Sequence, residues 1–411
     1  MMPRDFAGPL QGIRIIDLSH YWAGPYATVQ LAGWGADVIK VESVQRVDGY
    51  RGSAAATGER AWEKGPTYNF INMMKKDITL DLTREEGKTA LKELVRISDV
   101  VLENFSARVM GNLGLGYDSL RRDNPSLIMV SMPGFGNDGP WRNFTGFAFN
   151  LEQLSGIAHH TGFADGPPCN IGAAADPIMG MHGAFAVFAA LEHRRVTGQG
   201  QLVDLAHLQS LTAFSGPSLL TYQLTGRETM RTGNDEPLAA PHDFFPCQGN
   251  DKWVAISVRT EEEWRDFVRA LGAPEWAKDT QFANTLSRYR SKEALGEHIA
   301  AWTKQRTQAE AMETLQKAGI AAGAALDAAG LLKDPQLEAR GFNQWLERDL
   351  IGRQPYPGLP FHAQGKPLVW QRPAPMLGEH NEYALRDLLG RSGADVAKLE
   401  AAKIIGREPL L

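Results

Sequence analysis

Asp176 has the surroundings that a carboxylate nucleophile needs. It lies in the segment 172–180, whose other residues are small or apolar, and a strong helix pattern follows it. Small neighbours leave room for a bulky substrate, and backbone N–H groups at a helix start can stabilise a developing negative charge. The alternative interpretation is a helix N-cap, because aspartate often precedes a helix. The residue types alone favour the cap.

Other reactive side chains lack the spacing that their chemistry requires. The histidines show no recognised spacing of metal ligands, so we expect core or surface histidines and no metal site. They include His159, His160, His182 and His207, the last close to Asp204. Cys169 has no nearby basic cluster to favour its thiolate. The glycine-rich turns at 111–116 and 134–139 lack the spacing of nucleotide phosphate loops.

The elements that would position Asp176 alternate between strands and helices. Residues 12–18 and 37–42 predict strands, and the segment from Pro25 to Leu31 between them predicts a helix. Such a unit implies parallel strands joined by a right-handed crossover. The pattern continues with a helix after the Thr83/Glu86 capping-box spacing, strands at 99–103 and 127–131, and a helix at 179–196. The predicted fold class is therefore α/β with an open sheet.

The pattern changes after about residue 225. Amphipathic helices are predicted at 261–271, 292–304 and 308–317, the last behind a Thr307/Glu310 capping box. Residues 354–375 are rich in proline and glycine and predict extended chain with turns, before a last helix near 382–389. The middle of the chain therefore predicts a smaller, helix-rich domain.

Composition narrows the class of protein. The 411 residues predict two or three domains, or one large body with an inserted one. A net charge of −5 without a basic block argues against nucleic acid as a partner. Two cysteines, Cys169 and Cys247, are too few for a disulfide framework, and no apolar run predicts a signal peptide or membrane span. We therefore expect a soluble, cytoplasmic protein that does not bind membranes.

Eleven short segments, each weakly informative alone, occur in one order over about 180 residues. They are 23–26 (AGPY), 35–42 (GADVIKVE), 79–82 (TLDL), 103–105 (ENF), 114–117 (GLGY), 124–128 (NPSLI), 134–136 (GFG), 139–140 (GP), 154–156 (LSG), Asp176 and 197–201 (TGQGQ). In this order the sequence closely resembles the class III CoA-transferases. That family includes formyl-CoA transferase, carnitine CoA-transferase and 2-methylacyl-CoA racemase.

The resemblance implies an architecture and an assembly. A Rossmann-like large domain would be built from both chain ends, residues 1–225 and 336–411, with a smaller domain at 226–335 between them. Two chains of this family interlock like links, so we expect a dimer. A homodimer and a heteromer with a related chain both remain open.

The resemblance also implies a chemistry and its residues. Asp176 matches the family's nucleophile, which overturns the preference for a cap. Acyl-CoA and carboxylic acids would be the substrates, with no permanently bound cofactor and no metal. The family's contacts to CoA match the residues Trp22, Ala23, Leu80, Thr83, Asn104 and Phe105. Because a polyanionic substrate needs a local basic patch, Arg108, Lys75 and Lys76 are candidates for its phosphates.

Two departures from relatives bear on the reaction. The racemase branch has a His-Asp pair where Phe147 and Ala148 follow Gly146 here, and neither of these can move a proton. The run of glycines in formyl-CoA transferase is replaced by residues 237–242 (PLAAPH). The apolar residues 147–149 predict an acid substrate larger and less polar than oxalate. An acyl-CoA racemase or lyase, and a non-catalytic subunit of a heteromer, stay open as alternatives.

Overall fold

A computed structural model of the chain describes residues 8–52, 57–172, 174–363 and 365–410. A sheet of six parallel strands forms its centre. The strands are β1 (Arg14–Asp17), β2 (Asp37–Glu42), β3 (Lys76–Thr79), β4 (Val100–Glu103), β5 (Ile128–Ser131) and β6 (Leu202–Asp204). Their order across the sheet is β3-β2-β1-β4-β5-β6. This order reverses direction between β1 and β4, and in such sheets ligands bind where the carboxyl ends of these two strands meet.

The predicted α/β class is confirmed, and helices cover both faces of this sheet. The helices in this part of the chain are α1 (Ala23–Gly33), α2 (Pro66–Ile71), α3 (Glu85–Arg96), α4 (Arg108–Asn112), α5 (Tyr117–Asp123), α6 (Ala148–Leu154), α7 (Ala175–Thr197), α8 (His207–Thr212) and α9 (Gly216–Thr225). On one face, Leu91 of α3 and Leu120 of α5 are buried. On the other, Leu31 of α1 packs with Met179 and Val187 of α7.

The described chain divides into two compact units. The larger contains the sheet and takes residues up to Ala158, Asn170–Thr229, and the chain from Pro335 on. The smaller takes His159–Cys169 and Met230–Asp334. The sequence patterns do not indicate that His159–Cys169 joins the smaller unit.

The smaller unit packs helices on an antiparallel sheet. Its strands are β7 (His242–Pro246), β8 (Trp253–Ser257) and β9 (Ala321–Ala324), in that order. Its helices are α10 (Glu261–Ala270), α11 (Thr285–Arg290), α12 (Lys292–Thr303), α13 (Gln308–Lys317) and α14 (Ala328–Leu331). Phe267, Phe282 and Leu295 lie in its core. The predicted Thr307/Glu310 capping box is confirmed, since each side chain bonds the other residue's backbone N–H.

The C-terminal segment returns to the edge of the six-stranded sheet. It contains α15 (Pro335–Ala339), the hairpins β10 (Asn343–Arg348) with β11 (Gly352–Pro357) and β12 (His362–Ala363) with β13 (Lys366–Pro367), a π-helix at Tyr383–Leu388 and α16 (Gly393–Ala401). The Thr79 N–H of β3 donates to Asn381 Oδ1 at 2.8 Å. The predicted last helix is this π-helix, and α16 was not predicted.

Two predicted helix starts are wrong. The Thr83/Glu86 capping box does not form, because Thr83 Oγ1 donates to Asp81 and α3 begins only at Glu85. Helix α7 begins at Ala175 instead of residue 179, which places Asp176 in its first turn. None of the described helices is long and apolar enough to cross a membrane.

Candidate active site

Asp176 is the second residue of α7 and is not its N-cap. The N-cap residue is Ala174, and no side chain there accepts a capping hydrogen bond. The Asp176 side chain is 17% exposed, so most of it is buried while part remains open to a reactant. The N-cap interpretation of the sequence is therefore wrong, and the carboxylate is not occupied with capping this helix.

Close packing of α1 on α7 determines where Asp176 lies. A Cβ on Gly180 would lie 2.7 Å from the Ala23 carbonyl oxygen, and one on Gly183 would lie 3.2 Å from the Ala27 Cβ. Residue numbers rise together along both helices, so the helices run in the same direction, and α7 begins more than one turn before the level of the first residue of α1. Because α1 follows β1, Asp176 lies at the carboxyl edge of the sheet. The positive end of the α7 dipole lies there.

The surroundings of Asp176 disfavour its ionised form. Burial, and secondly the negative charge of Glu152, raises the pKa of Asp176 to about 6. His207 Nε2 lies 3.9 Å from Asp176 Oδ1, but burial lowers the pKa of His207 to about 4. His207 is therefore neutral at pH 7 and does not form an ion pair with Asp176. The carboxylate is ionised at neutral pH and has no cationic partner among the residues that the structure describes, which leaves it reactive.

An aromatic cluster lies near this carboxylate. The Tyr50 ring lies edge-on to the rings of Tyr21 and Trp22, with centroids 5.8 and 6.0 Å away. Burial, and secondly the charge of Asp176, raises the pKa of Tyr50, which places the phenol within the field of the carboxylate. Among the described residues, nothing accepts a hydrogen bond from the buried Trp22 indole N–H. Such a donor is satisfied when a substrate supplies an acceptor.

Three further residues proposed to contact CoA lie where β1 and β4 end. Asn104 accepts the His20 N–H at 2.9 Å and donates to the His20 carbonyl at 2.8 Å, which joins the loops after the two strands. The Phe105 ring lies 5.8 Å from that of His20. Ala23 is buried in the first turn of α1. Together with Trp22, these residues line the point where the strand order reverses.

The other matched residues lie further along the chain. Leu80 directly follows β3 and is buried in the core, so its side chain is not open to a ligand. Thr83 is exposed, and its hydroxyl donates to Asp81 at 2.6 Å. Arg108 is exposed at the start of α4, after β4, where its guanidinium is free to reach a phosphate.

Lys75 and Lys76 are wrong as phosphate ligands. Lys75 is fully buried, and its Nζ lies 2.9 Å from Asp17 Oδ2. Lys76 begins β3, at the amino edge of the sheet, and its ammonium pairs with Asp37 at the start of β2. Both charges are neutralised within the fold, and Lys76 lies at the edge opposite Asp176.

Comparison with known proteins identifies the family. The model of CoA-transferase family III matches residues 10–381. The chain belongs to CoA-transferase family III. This membership confirms the resemblance that the sequence motifs indicate.

The relatives within family III match nearly the whole chain. Succinyl-CoA–D-citramalate CoA-transferase of Chloroflexus aurantiacus is 34% identical, with 97% of this chain and 98% of the relative covered. Succinate–glutarate CoA-transferase of Agrobacterium fabrum is 33% identical, with 92% and 96% covered. The crystal structure of a CAIB/BAIF family protein from Brucella suis superposes with a TM-score of 0.82 at 31% identity, covering 93% of this chain and 99% of that one. The fold described above is therefore also found in that CAIB/BAIF family protein.

Two residues beside Asp176 were missed by sequence reasoning. Glu152, on α6, was not singled out, and His207, on α8, was considered only as a metal ligand with Asp204. Each is separated from Asp176 by more than twenty residues, and neither has a motif of its own. Only the packing of α6 and α8 against the start of α7 brings them together.

Proposed function

We propose that this family III chain moves CoA from an acyl-CoA donor to a carboxylic acid, with Asp176 as the nucleophile. The observation that carries the proposal is the placement of Asp176. A largely buried carboxylate with a pKa of about 6 lies in the first turn of α7, near the aromatic cluster of Tyr21, Trp22 and Tyr50. That arrangement provides a nucleophile ionised at neutral pH and donors for the oxyanion it generates.

The proposed reaction proceeds through covalent aspartyl intermediates. An Asp176 oxygen attacks the thioester carbonyl, and the CoA thiolate leaves to give an acyl-aspartyl anhydride. The thiolate then attacks the aspartyl carbonyl, which releases the donor acid and forms an aspartyl-CoA thioester. The acceptor carboxylate attacks this thioester, and the CoA thiolate leaves to give a second anhydride. The CoA thiolate finally attacks the acceptor's acyl carbon, which gives the new acyl-CoA and restores Asp176.

Each residue near Asp176 has a proposed task in these steps. The Trp22 indole N–H and the backbone N–H of Asp176 would donate to the tetrahedral oxyanion, each worth about 2.7–4 kcal/mol. Ala23, Asn104 and Phe105 would shape the CoA site where β1 and β4 end. Thr83 would border it beyond β3, the buried Leu80 side chain would only support that edge from the core, and Arg108 would bind a phosphate.

The relatives suggest where to look for substrates. Succinyl-CoA appears in the name of one relative, and both names contain a dicarboxylic acid larger than oxalate. We propose succinyl-CoA as donor and a dicarboxylic acid of this size as acceptor. The exposed ring of Phe147, edge-on to Tyr21 with centroids 5.7 Å apart, would give the acid an apolar contact. Rapid transfer to oxalate, with none to larger acids, would contradict this assignment.

The proposed assembly is a dimer of two identical chains. Helix α9 buries none of its residues although four of them are large and apolar, with Leu224 84% exposed. On α7, Phe185 is 72% exposed as well. Phe214, just before α9, contacts His182 of α7 with ring centroids 6.4 Å apart, so these exposed side chains belong to adjoining elements. A second copy, as in interlocked family members, would cover them.

The decisive test is the mass of the intact protein after reaction with a panel of acyl-CoAs and a hydroxylamine quench. We expect a hydroxamate at Asp176 with at least succinyl-CoA, and none in Asp176→Ala. The control Asp118→Asn removes a carboxylate that is 96% exposed on α5 and should leave the adduct unchanged. A wild-type chain that forms no adduct with any donor would contradict the proposed function and direct attention to a mixed assembly with a related chain.

A further inference from the structure

Glu152 is a buried carboxylate without a cationic partner. It lies on α6 and is fully buried. Among the described residues, its carboxylate has no salt bridge to an Arg, Lys or His and accepts only from the backbone N–H groups of Ile171, at 3.1 Å, and Ala175, at 3.4 Å. Burying an acid without a cation is costly, and a glutamine could accept the shorter of these bonds at lower cost. The charge therefore needs an explanation beyond folding.

The two acceptor bonds of Glu152 hold the backbone that leads to the nucleophile. Ile171 and Ala175 flank the turn before Asp176, and the Ala175 N–H points at Glu152. The carbonyl of the same Ala175 is 3.1 Å from His207 Nε2. The backbone N–H and carbonyl of Ala175 are therefore both hydrogen-bonded, the N–H to Glu152 on α6 and the carbonyl to His207 on α8. This arrangement fixes the direction in which the carboxylate points.

The charge of Glu152 acts on the ionisation of Asp176. It contributes to raising the pKa of Asp176 to about 6, after burial. The other groups that face Asp176 are His207, neutral because burial lowers its pKa to about 4, and Tyr50, whose pKa is raised. Neither therefore changes charge between pH 5 and 8. In an anhydride or thioester Asp176 carries no charge, so the repulsion from Glu152 is present before acylation and absent after it.

We propose that Glu152 is a positioning residue that orients Asp176 and favours its acylation, by repelling the free carboxylate but not the acylated one. This inference rests on the proposed function. A more basic carboxylate is also the better nucleophile, provided that it is still ionised at the working pH. Glu152 touches neither CoA nor the acyl group in this account.

The first experiment compares Glu152→Gln with wild type in single-turnover hydroxamate formation from pH 4.5 to 8.5. The amide keeps an acceptor for Ile171 and removes the charge. We expect the midpoint of the acidic fall in the rate to move from near pH 6 in wild type to about pH 5 in E152Q. At pH 8 the rate of E152Q should be lower than that of wild type by about threefold to tenfold. Glu192→Gln removes a charge that is 63% exposed on the far end of α7 and should leave both values unchanged. An E152Q profile equal to that of wild type overturns the proposal.

A second experiment measures the repulsion between Glu152 and Asp176 through the stability of the chain, without catalysis. Asp176→Asn should raise the urea midpoint at pH 7 in the wild-type background and raise it by less in the E152Q background, because the repulsion is already gone. Equal increments in both backgrounds overturn the proposal. If wild type forms no adduct yet the increments differ, the transferase function fails while the electrostatic coupling stands. If E152Q does not fold, Glu152→Asp replaces it, because the shorter side chain withdraws the charge by one methylene. A pH–rate profile of that variant that falls at the same acidic pH as that of wild type overturns the proposal.

Discussion

The surroundings of Asp176 destabilise the ionised form of its carboxyl group. Its carboxyl is largely buried, a second carboxylate repels it, and the histidine beside it is neutral at pH 7. Binding sites often contain groups that the fold would be more stable without, because reactivity requires them. The free energy of unfolding should therefore report on this residue.

We predict that Asp176→Asn stabilises the chain at pH 7. The folded state binds the Asp176 proton more tightly than the unfolded state, since the pKa rises from 3.8 to about 6 on folding. Stability is therefore lost as pH increases from about 4 to 6, and the neutral amide avoids a loss of about 2–3 kcal/mol. Urea unfolding at pH 4 and pH 7 measures this difference.

The difference between Asp176→Asn and wild type should be much smaller at pH 4, where the folded wild-type carboxyl is protonated and the unfolded one is about half protonated. Asp118→Asn, at a carboxylate 96% exposed on α5, should change stability little at either pH. An amide variant less stable than wild type at pH 7 would show that the ionised Asp176 contributes to the fold.

At the scale of elements, the contact between α1 and α7 positions the site. Gly180 permits this contact, because a Cβ there would lie 2.7 Å from the Ala23 carbonyl and 3.0 Å from Tyr26. Asp176 stands one helical turn before Gly180, and Trp22 directly precedes Ala23. A change in the spacing between the two helices therefore moves the nucleophile relative to the indole N–H.

We predict that Gly180→Ala destabilises the chain by about 1–3 kcal/mol, because an added methyl group overpacks a close helix contact. It should also slow hydroxamate formation at Asp176, since α7 must shift. Urea unfolding and single-turnover mass measurements test the two effects. The matched control is Gly111→Ala on α4, where a Cβ meets no atom within 4 Å. This control should be neutral or more stable, and equal losses in both variants would remove the packing explanation.

At the scale of the whole molecule, the exposed apolar side chains of α7 and α9 need a partner. Several large apolar residues on adjoining elements face solvent in the single chain, which is typical of surfaces that bind protein. The proposed dimer would place them in an interface.

We predict that the wild-type chain has the mass of a dimer in light scattering and that Leu220→Glu, on α9, shifts it toward the monomer. A buried charge without a partner is strongly unfavourable in an interface. Leu286→Glu provides the control, because this residue is 52% exposed on α11 of the smaller unit. A monomeric wild-type chain, or a dimer unaffected by L220E, would contradict the predicted interface.

The sequence by itself determined the class of fold and the family. Short β-branched runs and apolar helix patterns are local signals, so they predicted β1, β2, β4 and β5 within one or two residues. They missed β6, which has only three residues, and β3, which is as long as β1 but has the charged residues Lys76 and Asp77 in its first half. The ordered motifs also pointed to Asp176 as the residue to examine.

Only the tertiary structure decided the surroundings of Asp176. Packing of α6 and α8 on α7 brings Glu152 and His207 to the carboxylate, and the start of α7 puts Asp176 inside the helix. It also buries Lys75, which the sequence had placed at the phosphates. A residue's charge and exposure depend on elements far away in the chain, and a local pattern carries no information about which distant side chain will be its neighbour.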